Sequence, residues 1–233
     1  MTRFATTRWS LIRDARNPEL ARSALEEICR AYRTPVLVYV RRHGYTMVDA
    51  EDLTQDFFVH FLEGHLDAAA DPARGHFRGL LLTALKRFLI SADTASHAKK
   101  RGGGLLRTEH EDELDRLPAR ESESPEQAFE RAWALTVLEH AFTRLRAEAE
   151  RAGKIQLFEQ LIPYVGERPT GDEYQSIAKQ LGLRTNTVAV AVHRLRTRLR
   201  ALVREELADT CDHAGTVDAE MEALRGTLDR VAA

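Results

Sequence analysis

The sequence predicts an all-α fold arranged as two small helical domains joined by a flexible acidic linker. Three observations predict it. β-branched alternation is scarce, so strands lack their period-two signal, whereas apolar residues recur at steps of three and four through most of the chain. Residues 108–127, TEHEDELDRLPARESESPEQ, combine two prolines and dense acid with few apolar side chains, which is linker composition. A chain of 233 residues that is 43% hydrophobic carries enough apolar surface to fill a core on either side of that linker.

Taken in order, the first helix or helix pair runs from about Pro18 through Leu25, Ile28, Tyr32 and Val36 to Gly44. Pro18 suits a first turn and Pro35 is a site for a kink. A second helix spans about Asp49 to Glu63, and a third, entered through the loop Asp71-Pro72-Ala73-Arg74-Gly75, spans Phe77 to about Lys100. Gly102-Gly103-Gly104 ends a first domain of residues 1–104, and residues 105–124 form the linker. A second domain, residues 125–208, opens near Pro125 with a helix carrying Phe129, Trp133, Val137, Leu138 and Phe142. A shorter helix from about Lys154 to Tyr164 follows, then a turn at Gly166 to Gly171. The tail, residues 209–233, spaces Val217, Met221, Leu224, Leu228 and Val231 as an amphipathic helix with acids on its other side. Either it folds back on the basic second domain and masks it, or it is a disordered or surface-docked end.

Several classes of function are excluded. Cys29 and Cys211 are too few for a disulfide framework and fit a reducing cytoplasm. The longest apolar runs, Val36 to Val40 and Leu80 to Leu82, fall far short of the roughly 20 residues of a membrane span, and MTRFATTRWS lacks the apolar stretch of a secretion signal. No membrane insertion is expected. A P-loop, a G-x-G-x-x-G and a nucleophile elbow are all missing, and Gly102 to Gly104 lack the Lys-Ser/Thr a phosphate cradle needs. His60 with His65, and Cys211 with His213, lack the further ligands that a metal requires at characteristic spacing. We therefore expect no enzyme, no catalytic residue, no cofactor and no metal.

Charge is segregated. Tyr174 to Arg204 carries Lys179, Arg184, Arg194, Arg196, Arg198, Arg200 and Arg204 and no carboxylate, although the chain as a whole has a net charge of -2. That is the pattern of a polyanion-binding segment. Glu109 to Glu126 and Glu205 to Ala233 each hold eight acids against two arginines.

Within the basic segment, Tyr174 to Leu181 and Thr185 to about Leu207 read as two helices separated by Gly182-Leu183-Arg184, the spacing of a helix-turn-helix. Small Ala178 allows close approach, Gly182 turns the chain, and Ile177, Leu181, Leu183 and Val188 share a core. The stripe continues through Val192, Leu195, Leu199 and Leu202. At about 100° per residue, Asn186, Val190, His193 and Thr197 project from the opposite side. Asn186, Val190, His193 and Arg194 are the candidates for base readout in a major groove. Arg184, Thr185, Thr187, Arg196 and Arg198 are candidates for phosphate contact.

The other informative segment is DAEDLTQDFFVHFLE, residues 49–63. Asp49, Asp52, Asp56 and Glu63 fall within about 60° of one another on a helical wheel, opposite Ala50, Leu53, Phe57, Phe58 and Phe61. The ridge is read either as an ordinary solvated face, helped by the helix N-terminus, or as a docking surface.

DAEDLTQDFF followed by FRGLLLTALKRFL, with YQSIAKQLGLRTNTVAVAVHRLRTRLR far downstream, resembles regions 2 and 4 of the sigma-70 family. The short chain and acidic linker resemble its extracytoplasmic-function (ECF) subfamily, over about Arg8 to Leu207. The resemblance implies a factor that binds bacterial core RNA polymerase and promoter DNA and directs transcription initiation. It puts Asp49, Asp52, Gln55 and Asp56 against the β′ clamp helices, where complementary charge sets encounter rate and register. It puts Arg74, Gly75, His76, Phe77, Arg78, Lys86, Arg87, Lys99, Lys100 and Arg101 at the -10 element, where melted DNA needs a base pocket and cations for the backbone. Core packing is the competing role for Phe77 and the favoured one for Phe88. The second helix of the helix-turn-helix then meets the -35 element. Leu80, Arg87 and Ser91 stand where many members have Trp, Asn and Asp. Ala189 and Ala191 remove possible -35 contacts, so His193 and Arg194 carry more of the readout. The resemblance also admits an anti-sigma factor or a regulatory kinase as a partner; a free-standing helix-turn-helix regulator that does not replace a sigma factor is the alternative.

Overall fold

A computed structural model describes residues 21–64, 77–99, 123–166, 170–208 and 214–232. All the regular structure among them is helical. The helices are α1 (Ala21–Arg42), α2 (Met47–Gly64), α3 (Phe77–Lys99), α4 (Pro125–Arg151), α5 (Ile155–Leu161), α6 (Pro163–Gly166), α7 (Gly171–Leu181), α8 (Thr185–Ala208) and α9 (Ala214–Ala232). Pro18, the loop 71–75, Gly102 to Gly104 and linker residues 105–122 lie outside the described residues.

Local chemistry sets the helix starts. Before α2, the Asp49 amide donates to Thr46 Oγ1 at 3.2 Å, while the Thr46 hydroxyl donates to Asp49 Oδ2 at 2.7 Å. Ser124 and Gln127 close a reciprocal box ahead of α4, with the Gln127 amide donating to Ser124 Oγ at 3.2 Å and the Ser124 amide to Gln127 Oε1 at 2.8 Å. Pro125 then occupies the first helical position, where no amide hydrogen is needed. Thr170 and Glu173 form a full capping box, so α7 begins at Gly171 inside the stretch expected to be a turn. The single helix expected from Lys154 to Tyr164 is divided into α5 and α6, since Pro163 has no amide to continue the ladder.

The chain forms two compact units, residues 1–136 with 207–233, and residues 137–206. These boundaries fall inside α4 and α8, whereas composition divides the chain at the linker. In the first unit Ile28, Tyr32, Val36, Tyr39 and Val40 of α1, Phe57 and Phe61 of α2, Phe77, Leu81 and Leu85 of α3, and Phe129 and Trp133 of α4 are buried. Their rings interlock: Tyr32 and Phe77 centroids are 5.1 Å apart, Phe61 and Phe77 6.3 Å, and Tyr39 meets Phe129 edge-on at 6.3 Å. The tail is helical as α9, and burial of Val217, Glu220, Leu224 and Thr227 belongs to this first unit.

In the second unit Leu161, Ile177, Ala178, Val188 and Val192 form one core cluster, flanked by Leu157, Tyr164, Tyr174, Leu181, Ala191 and Leu195. Leu183, expected in that core, is 37% exposed. Gly182 adopts the left-handed conformation at φ 62°, which a residue with a Cβ resists, and the Leu183 amide donates to Ala178 O at 2.9 Å. Among the described residues no helix is long and apolar enough to cross a membrane.

Candidate functional site

On α2, burial of Ala50, Phe57, Phe58 and Phe61 turns Asp52, Gln55 and Asp56 outward, all three exposed. Asp49 is half-buried by its bond to Thr46, and the Glu63 side chain lies outside the described residues. Two residues join the stripe that the acid pattern did not single out, Val48 at 70% and Val59 at 53% exposure. At 100° per residue Val48, Asp52, Gln55, Asp56 and Val59 occupy one arc of about 100°. Apolar and acidic groups are thus interleaved on one exposed face, and the signal for it was the valines at three- and four-residue steps from the acids.

The residues that the resemblance assigned to the -10 element separate. Arg74, Gly75, His76, Lys100 and Arg101, and the side chain of Lys99, lie outside the described residues. Phe77 is fully buried against Tyr32 and Phe61, so its ring serves the core and is not presented to a base in this conformation. Phe88 likewise packs beside Phe57 and His60, each with centroids 5.7 Å apart. Arg87 is exposed on the outer face of α3 with Thr83, Ile90 and Ser91.

Arg78 and Lys86 instead meet carboxylates. Arg78 Nε donates to Glu130 Oε2 at 2.9 Å, Arg78 Nη1 donates to Glu220 of α9, and the guanidinium lies 4.3 Å from the Trp133 ring centre. Lys86 Nζ is 2.8 Å from Glu126, whose carboxyl this hydrogen bond holds below the usual range. Burial pushes the Tyr39 phenol up to about 12, helped by the neighbouring Glu126 carboxylate. Arg42 and Arg131 meet Glu123 at 3.3 and 2.9 Å.

In the second unit, burial of Val188 and Val192 places Arg184, Thr185, Asn186, Thr187, Val190, His193 and Arg194 on the exposed side of α8 and its entry turn. Lys179 and Arg200 are exposed too. Two of the expected phosphate contacts are committed elsewhere. Arg196 donates from Nε to Val165 O at 3.0 Å and from Nη2 to Tyr164 O at 2.7 Å, satisfying carbonyls at the end of the α5–α6 segment. Arg198 grips Glu148 at 2.8 and 2.5 Å and Glu205 at 3.0 Å. Its hydrogen bond holds the Glu148 carboxyl below the usual range; burial pushes Glu205 up, but bonds from Arg198 and Arg144 win and leave it lowered.

Among the described residues no cluster of His, Cys, Asp and Glu could hold a metal ion. His65, Cys211 and His213 lie outside them.

Among the described residues, all of whose regular structure is helical, α2 presents an exposed acidic face and α8 an exposed basic one. A family model described as ECF sigma factor matches residues 48–205, which spans both α2 and α8. The chain belongs to the ECF sigma factor family, whose members are transcription factors that act in initiation. No curated protein and no solved structure matches the chain.

Proposed function

We propose that the chain is a bacterial initiation factor that docks core RNA polymerase through α2 and reads two promoter elements through α3 and α8. The observation that carries this reading is the exposed stripe of Val48, Asp52, Gln55, Asp56 and Val59. A free-standing regulator has no use for such a face, whereas a polymerase partner needs both a charge register and some apolar area to desolvate. The stripe meets the β′ clamp helices. The polymerase- and -10-binding functions then belong to residues 1–136 with 207–233, and the -35-binding function to residues 137–206.

On α8, Asn186, Val190, His193 and Arg194 read base edges in the major groove, while Arg184, Thr185 and Thr187 hold phosphates around the helix start. Arg87 on α3 meets the -10 strand, together with Arg74, His76, Lys99, Lys100 and Arg101. Function lies in the cytoplasm on nucleoid DNA, and an anti-sigma factor or a kinase is the natural class of regulator. The test is capture of core RNA polymerase by the wild type and by the Asp52→Arg, Asp56→Arg double variant. Capture by the wild type that charge reversal removes supports the reading; a wild type that binds duplex DNA but no core overturns it.

A further inference from the structure

The buried stripe of α9 contains an acid. Val217, Glu220, Leu224 and Thr227 follow one another at steps of three and four, all buried, and Glu220 is 1% exposed. A carboxylate in that position is costly unless a cation meets it. The cation is Arg78 at the start of α3, itself 13% exposed by side chain and already bonded to Glu130. Lys86, on the same helix, is met by Glu126, and Arg42 of α1 by Glu123. Three cations of the first unit therefore each face a carboxylate supplied by α4, the segment just before it, or α9. Carboxylate oxygens in charge-assisted contact with a guanidinium occupy the place that phosphate oxygens would take.

We propose that α9 is an intramolecular competitor for nucleic acid: Glu220 stands where a phosphate of the melted strand would sit on Arg78, and the strand gains Arg78 only when α9 leaves. The proposal rests on the reading of α3 as the -10-binding helix. Glu126 and Glu130 belong to the long helix α4, whereas Glu220 comes from a separate helix joined after α8, so α9 is the removable element. A leucine at position 220 would extend the apolar stripe; the acid instead ties the docking of α9 to the state of Arg78.

The test uses the full chain and a fluorescent single-stranded DNA oligonucleotide of mixed sequence, with binding read by anisotropy across a salt series. Three variants are compared with wild type: Glu220→Gln, the charge-neutral Val217→Ser, Leu224→Ser pair that loosens α9 without touching Arg78, and Glu220→Gln combined with Arg78→Ala. Circular dichroism confirms the helical fold of each. Release of one cation steepens the slope of log affinity against log salt by about 0.7. Tighter binding and that steeper slope are expected for both tail variants, with the gain cancelled by Arg78→Ala. Equal affinity of wild type and both tail variants, or a gain that survives Arg78→Ala, overturns the competitor while leaving the -10 reading standing. No strand binding by any variant overturns both, and core capture then shows whether the polymerase half of the reading survives alone.

Discussion

The cations expected to meet DNA fall into two sets with opposite surroundings. Arg78 and Lys86 on α3 are each paired with carboxylates of their own unit, whereas Arg184, Arg194 and Arg200 around α8 are exposed and meet no carboxylate among the described residues. Paired cations hold a fold together and reach a polyanion only by exchanging partners. Cations that meet no carboxylate among the described residues offer their charge at first encounter with no such exchange. On the proposed function, promoter search begins with α8 and α3 engages later.

The contrast can be broken first at Arg78. Arg78→Ala breaks the buried ion pair with Glu220 and should destabilise the chain by about 3 kcal/mol, the range for removing one partner of such a pair. Thermal unfolding checks it, and Glu220→Gln in the same chain should restore most of the loss. An unchanged melting temperature would mean that the pair does not hold α9. Next comes Arg194→Ala, which should weaken binding to a promoter duplex by about 1–3 kcal/mol and leave the melting temperature where it was. Electrophoretic mobility shift and calorimetry separate the two effects.

Arg198→Ala reverses that pattern on the same helix. Because Arg198 is 40% exposed, loss of its grip on Glu148 and Glu205 should cost only about 1 kcal/mol of stability, with little change in duplex affinity. The smallest effect concerns pH. The Glu148 carboxyl is lowered by Arg198, so its folded value lies below the unfolded value of about 4.3. Its contribution is then fully present above about pH 4.3 and is lost as pH falls through the folded value. Denaturant titrations at falling pH should show wild-type stability declining in that window, and Arg198→Ala should flatten the decline.

How much of this was legible in the sequence follows from what each signal encodes. Helical period alone located α2, α3 and α8 to within a few residues, because one buried stripe decides each of them. The start of α7 was written in Thr170 and Glu173, a capping box that opens inside the segment whose glycines suggested a turn. Partners were not legible. Counting seven cations in a row does not reveal that Arg198 is bonded to Glu148, 50 residues away, or that Arg196 caps carbonyls at Tyr164 and Val165. The tail shows the same limit. Val217 and Leu224 marked its apolar stripe, but the basic second domain was only one candidate cover, and the cation that α9 meets is Arg78 of the first unit. Nothing in α9 itself discloses that Glu220 meets a cation 142 residues earlier. Phe77 sits beside the loop expected to hold DNA, and its burial depends on Tyr32 and Phe61 from two other helices.

We propose that the exposed α8 face directs polymerase to promoters. The most direct measurement is run-off transcription by core RNA polymerase on the genome fragments that the wild-type complex retains, with Arg194→Ala alongside. Discrete transcripts that require the wild-type chain and fall with Arg194→Ala are predicted. Fragments bound by the chain without core, and no transcript when core is added, would contradict it.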